Sequence, residues 1–166
     1  ITAILTTLLT SNNFFKDDFN NGIIETYLTS DASIELLFFL KIVSCWIFTC
    51  LPIIIFIPLV SVLFDIPYEN SIVLLITLII GTPILISVGI FGSALTLGLS
   101  KNNILIPVII VPFYIPVLIF SASAIESVAI GLSYEMQIYV LLAFLFLILP
   151  IMPYLLKYTL RLSINN

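Results

Sequence analysis

Four long apolar runs, 34–64, 72–99, 104–122 and 135–160, make up most of this sequence. A helix needs about 20 apolar residues to cross a hydrocarbon core about 30 Å thick, so three of the runs have length to spare and 104–122 just reaches it. Backbone N–H and C=O groups in lipid must be satisfied within their own segment, so the runs are expected to be helices. Composition agrees: only 8% of residues are charged and 61% are hydrophobic, whereas ordinary soluble domains carry about 25% charged residues. The expected fold class is therefore all-α, a polytopic membrane bundle. Prolines at 52, 58, 83, 107, 112, 116, 150 and 153 fall within the runs and predict kinks, since each removes a ladder hydrogen bond.

The opening segment ITAILTTLLT, residues 1–10, is too short to span. It has neither the basic start nor the small-residue cleavage site of a signal peptide. It is expected to be the end of a spanning helix in a chain truncated at its N-terminus. The full-length protein would then have six spanning helices, the first missing here and the second partial. If the chain weaves through each span in turn, Lys16, Lys41, Lys101, Lys157 and Arg161 all fall on one side. The loops DIPYENS (65–71) and SASAIESVAIGLSYE (121–135) fall on the other, with acids and no Lys or Arg. The positive-inside rule then puts the first side in the cytoplasm, or in the matrix of a mitochondrion.

One compact polar segment interrupts the apolar chain. FFKDDFNNGIIETYLTS, residues 14–30, holds Lys16, Asp17, Asp18 and Glu25, with Asp31 just beyond. As a helix it carries Phe15, Phe19, Ile23 and Tyr27 as a narrow apolar stripe at four-residue spacing. Asn12 or Asn13 can cap its start, and the acids that follow suit the positive end of the helix dipole. Helices that merely grip lipid carry Lys and Arg for anionic headgroups. This one is acidic, which suits a protein partner, with a solvated connector as the alternative.

The chemistry that is missing bounds the function. There is no histidine, the commonest axial haem ligand and general base, and no GxxxxGK[ST] loop for ATP. No Asp, Glu, Lys or Arg falls near the middle of a run, which disfavours a proton relay or voltage sensor. A net charge of −4 gives no basic patch for nucleic acid. Cys45 and Cys50 lie about 140° apart around one helix and cannot pair within it; buried inert thiols are expected. Met136 and Met152 are either packing residues or possible haem contacts. Gly89 with Ser93, and Ala94 with Gly98, are small residues four apart, suited to close helix packing within one subunit or across a dimer seam. Residues 121–134 are expected to form a short helix at the outer face, with Glu126 as either a surface charge or a contact for an outer-side partner. The chain thus reads as non-catalytic.

DDFNNGIIETYLTS, with the long span that begins near Ile34, resembles the signature of the cytochrome c maturation protein B (CcmB) family, the membrane subunit of the haem exporter. LLITLIIGTPILISVGIFGSALTLGL and VPFYIPVLIFSASAIE are similar to the family's fourth and fifth spans. Thr29-Ser30-Asp31 departs from the Ser-Pro common in that family. The resemblance implies a permease of an ATP-binding-cassette system in a bacterial or mitochondrial inner membrane. It implies a homodimer working with a separate ATP-binding subunit, a haem-handling membrane protein and a haem chaperone. Haem would be cargo, with no cofactor or metal held by the chain. The acidic helix would be the coupling helix, with Asp18, Phe19, Gly22, Ile23 and Glu25 contacting the ATP-binding subunit. Two other readings are a non-transporting membrane scaffold and an export permease for another lipid-like substrate.

Overall fold

A computed structural model describes residues 6, 7, 33–95 and 105–164. Among them the structure is all-α. Four helices follow in order: α1 (Ile34–Leu63), α2 (Tyr68–Leu95), α3 (Leu105–Ala129) and α4 (Glu135–Ile164). All four contain a stretch long and apolar enough to cross a membrane. The bundle is built around α2, which packs against the other three. In its most apolar stretch 61% of residues are buried, against 11%, 28% and 17% for α1, α3 and α4. Small residues explain the difference. Gly81, Ser87, Gly89, Gly92, Ser93 and Ala94 are all buried on α2 and let neighbouring helices come close. A Cβ built on Gly81 would lie 3.3 Å from Val117 Cγ1 and 3.6 Å from Ser121 Oγ, so α2 and α3 meet tightly there.

α1 buries only a stripe, beginning Ile34, Phe38, Ile42 and Cys45 at three- to four-residue spacing. Its other faces present Phe48, Ile55, Phe56 and Val62, all exposed, as a lipid-facing helix should. Both thiols are free and buried.

Two turns at one end of the bundle stop α1 and α3 by the same device. Asp65, at φ 49°, follows α1, and the Ile66 N–H bonds back to the Ser61 carbonyl at 2.9 Å. Gly131, at φ 75°, follows α3, with Leu132 N–H on Ser127 O at 2.8 Å and Gly131 N–H on Val128 O at 3.0 Å. A left-handed residue just past the last turn lets the following N–H groups satisfy the free carbonyls. Glycine and aspartate are among the residues that enter that region readily.

The separate outer helix expected over 121–134 is not formed as such: residues 121–129 continue α3 without a break. Nothing in SASAIESVA removes a backbone donor, so polarity alone does not end the helix; Gly131 does. At the start of α2 the polar YENS stretch, expected to be loop, is helical. The Ser71 N–H reaches Pro67 O at 3.0 Å, and Glu69 in the first turn favours the helix dipole.

Candidate functional site

The acidic segment 14–30, with Asp18, Phe19, Gly22, Ile23 and Glu25, lies outside the described residues. So do Lys16, Lys101 and Gly98. The remaining sequence-derived candidate, Glu126, sits exposed in the last turns of α3. Beside it Gln137 of α4 donates from Nε2 to Ser123 Oγ at 3.3 Å and to Ser127 Oγ at 3.2 Å. This clasp ties the end of α3 to the start of α4, and it leaves the buried Gln137 Oε1 without a hydrogen-bond partner. The sequence reading missed Gln137; a lone amide in the first turn of a spanning helix was the available signal.

At the opposite end Lys157 of α4 forms an ion pair with Glu35 of α1. Both side chains are about 70% buried, at 29% and 28% exposure, so the pair is screened less than a surface one. It puts the start of α1 and the end of α4 at the same membrane face, as the basic-residue pattern requires. We expect Asn70 to lie outside and Asn102 inside. Single cysteines at these positions, in a background lacking Cys45 and Cys50, should separate in intact spheroplasts: an impermeant thiol reagent labels Asn70→Cys and spares Asn102→Cys. The reverse pattern overturns the orientation.

Between the two ends, polar side chains bond inside the bundle. Trp46 Nε1–H of α1 donates to Thr82 Oγ1 at 2.8 Å, and the Thr82 hydroxyl donates to Leu78 O at 2.6 Å. The Ser87 hydroxyl donates to Pro83 O at 2.7 Å. Tyr114, 2% exposed, reaches from α3 to Leu85 O at 2.7 Å, with Thr7 Oγ1 3.5 Å away. The Trp46–Thr82 and Tyr114–Leu85 bonds join α1 and α3 to α2, while the Thr82 and Ser87 hydroxyls are satisfied within α2, where lipid offers them no partner. Met152 is buried in the core and is a packing residue, while Met136 is 75% exposed at the start of α4. Gly89, Ser93 and Ala94 are buried within the subunit. Among the described residues no group of three His, Cys, Asp or Glu could hold a metal ion.

A bundle of long apolar helices whose interior hydroxyls bond mostly to backbone carbonyls defines a multi-pass α-helical membrane protein. The family model described as "CcmB protein" matches residues 1–163. The chain is 32% identical to Heme exporter protein B of Haemophilus influenzae over all 166 residues, covering 75% of that protein. It is also 32% identical to Heme exporter protein B of Pseudomonas aeruginosa, over the whole chain and 74% of the relative. The Escherichia coli K12 protein of that name is 30% identical over 99% of the chain and 75% of its own length. The chain belongs to the CcmB family and is a multi-pass inner-membrane protein.

Proposed function

We infer that this chain is the membrane permease component of a haem exporter in cytochrome c maturation. The observation that carries the reading is the family match along residues 1–163, on a chain whose described part is a bundle of spanning helices. In this reading ATP is hydrolysed by a separate ATP-binding subunit that docks against segment 14–30, and the permease works as a homodimer. A haem-handling membrane protein and a haem chaperone on the outer face complete the assembly, with Glu126 as a contact for the outer-side partner. Haem is cargo and not a resident cofactor of this chain.

The geometry suits coupling of ATP hydrolysis to events across the membrane. The Trp46–Thr82 and Tyr114–Leu85 bonds join α1 and α3 to α2, and the Lys157–Glu35 pair ties α1 to α4 at the face where segment 14–30 leads into α1. A push that reaches the start of α1 would be passed on to α4 through this pair and to α2 through packed side chains. The test is reconstitution of the complex in vesicles with a lumenal haem chaperone. Lumenal haem that rises only with ATP marks transport; constant haem with ATP-dependent release of haem-loaded chaperone marks coupling. If neither responds to ATP, the chain is not the permease of an ATP-driven haem exporter.

A further inference from the structure

Ser61 breaks the pattern of satisfied hydroxyls. It lies on the buried stripe of α1 at 8% exposure, and its Oγ has no hydrogen-bond partner. Leaving a buried hydroxyl without a partner is unfavourable, and a bound acceptor relieves it. Two adjoining cavities between α1 and α2 share Ser61 and Ile66 in their walls. One, of about 350 Å³, runs past Pro52, Phe56, Ile57, Val60 and Leu74 and is almost wholly apolar. The other, of about 640 Å³, opens towards the α1–α2 turn between Pro58, Val62 and Leu75, with Asp65, Tyr68 and Ser71 at its polar end. Each falls within the usual size of a small-molecule site.

The shape and charge of this groove select its occupant. From Pro52 to Asp65 the two cavities, which meet at Ser61 and Ile66, together follow α1 for roughly 20 Å, about the depth of one leaflet including its polar region. Its walls are apolar until Ser61, and Asp65 stands four residues further, about 6 Å along the axis. Among the described residues Asp65 is the one charged residue in the walls, and neither 65–71 nor 121–135 contains Lys or Arg. A molecule with carboxylates at this end, as a porphyrin dicarboxylate would present them, meets a like charge and no counter-charge. A molecule with an ammonium group there meets the Asp65 carboxylate.

We propose that the α1–α2 groove is a binding site for one phospholipid with a primary ammonium headgroup. An acyl chain lies along Pro52, Phe56 and Leu74. The ester region, one helical turn below the headgroup, accepts a hydrogen bond from the Ser61 hydroxyl. The ammonium group pairs with Asp65. The site is distinct from haem handling and stands whether or not haem is the cargo.

Native mass spectrometry of the complete protein in its complex, released from micelles loaded with phosphatidylethanolamine, phosphatidylcholine or phosphatidylglycerol, tests the site. The wild type should retain one phosphatidylethanolamine per chain about fivefold better than either other lipid, the upper range for one solvent-exposed ion pair. Asp65→Asn should erase that preference while leaving lipid bound; asparagine also accepts the left-handed backbone at 65, so the turn survives. Ser61→Ala should weaken retention about fivefold, the worth of one hydrogen bond. Ser61→Leu should abolish it by filling the groove, provided its elution profile matches the wild type. Equal retention of the three lipids by the wild type overturns the proposal, as does unchanged selectivity in Asp65→Asn. Haem, rather than lipid, lost from Ser61→Ala would overturn it too.

Discussion

Leucine in place of Gly81 is expected to abolish recovery of a monodisperse folded protein, whereas alanine should be tolerated. The two substitutions differ in what they ask of α3. A Cβ at Gly81 would stand 3.3 Å from Val117 Cγ1, a contact tight enough that the valine must give by a few tenths of an ångström. One side chain can do so by a small shift. Leucine adds three more carbons to a contact that is already closed, so α2 and α3 must separate. Overpacking of this kind costs on the order of 1–3 kcal/mol and sometimes more. Separation here also strains the rest of the bundle, because α1, α3 and α4 all pack against α2, the most buried of the four. Size-exclusion profiles and melting in detergent read the outcome. Gly81→Ala should melt within a few degrees of the wild type, and Gly81→Leu should elute as aggregate. Val117→Ala opens space at the contact, so the double variant should recover part of the folded peak, a coupling that independent sites would not show. A monodisperse Gly81→Leu with unchanged melting would mean that α2 and α3 do not meet at this position.

That contact also marks where sequence reading stops. The spans follow from apolar length, because lipid leaves the backbone no other option, and the run 34–64 lies along α1, Ile34–Leu63. Which span sits at the centre does not follow from hydropathy, since α1 and α2 are equally apolar by that measure, at 2.5 and 2.6. The small residues of α2 carry the information, yet a stripe of Gly, Ser and Ala does not name the helix it will meet. Polarity is a poor guide to helix ends where it stands in for backbone geometry, at Tyr68–Ser71 and at 121–129. A polar residue at the interface costs a helix little; a residue that must adopt positive φ ends it. Asp65 and Gly131 show this from opposite directions, glycine being an obvious stop in sequence and aspartate an unremarkable loop residue. Of the candidate site, only Glu126 falls on the described residues. The clasp at Gln137 and the unpartnered Ser61 both depend on pairings between helices, which one sequence without tertiary contacts does not specify.

Proline in place of Gly22 is expected to disconnect the permease from its ATP-binding subunit while leaving the membrane bundle intact. The expectation rests on the proposed role of segment 14–30 and on its sequence. Read as a helix, the segment would carry Phe15, Phe19, Ile23 and Tyr27 as one stripe, with Asp17, Asp18 and Glu25 over much of the rest. In a helix docked into a groove the buried apolar anchors dominate the energy, commonly about 2 kcal/mol or more each, whereas rim charges set register and association rate. Phe19→Ala should therefore weaken capture of the ATP-binding subunit by roughly thirtyfold, the equivalent of one such anchor. Ile23→Ala should follow it, to a smaller degree. Asp18→Asn and Glu25→Gln should change mainly the salt dependence of association. Gly22→Pro ought to exceed all of these, because a proline inside the helix removes a backbone bond and sets the two halves of the stripe on different lines. None of these residues lies in a span, so membrane levels of each variant should match the wild type, and that equality separates lost docking from lost folding. Quantitative co-purification of the ATP-binding subunit and the yield of mature cytochrome c are the two readouts. Normal values of both in Phe19→Ala and Gly22→Pro would leave segment 14–30 a solvated connector. The acidic face would then need no partner, since carboxylates near a helix start are favoured by the dipole alone; dependence on the apolar stripe is what distinguishes a docking helix from that simpler case.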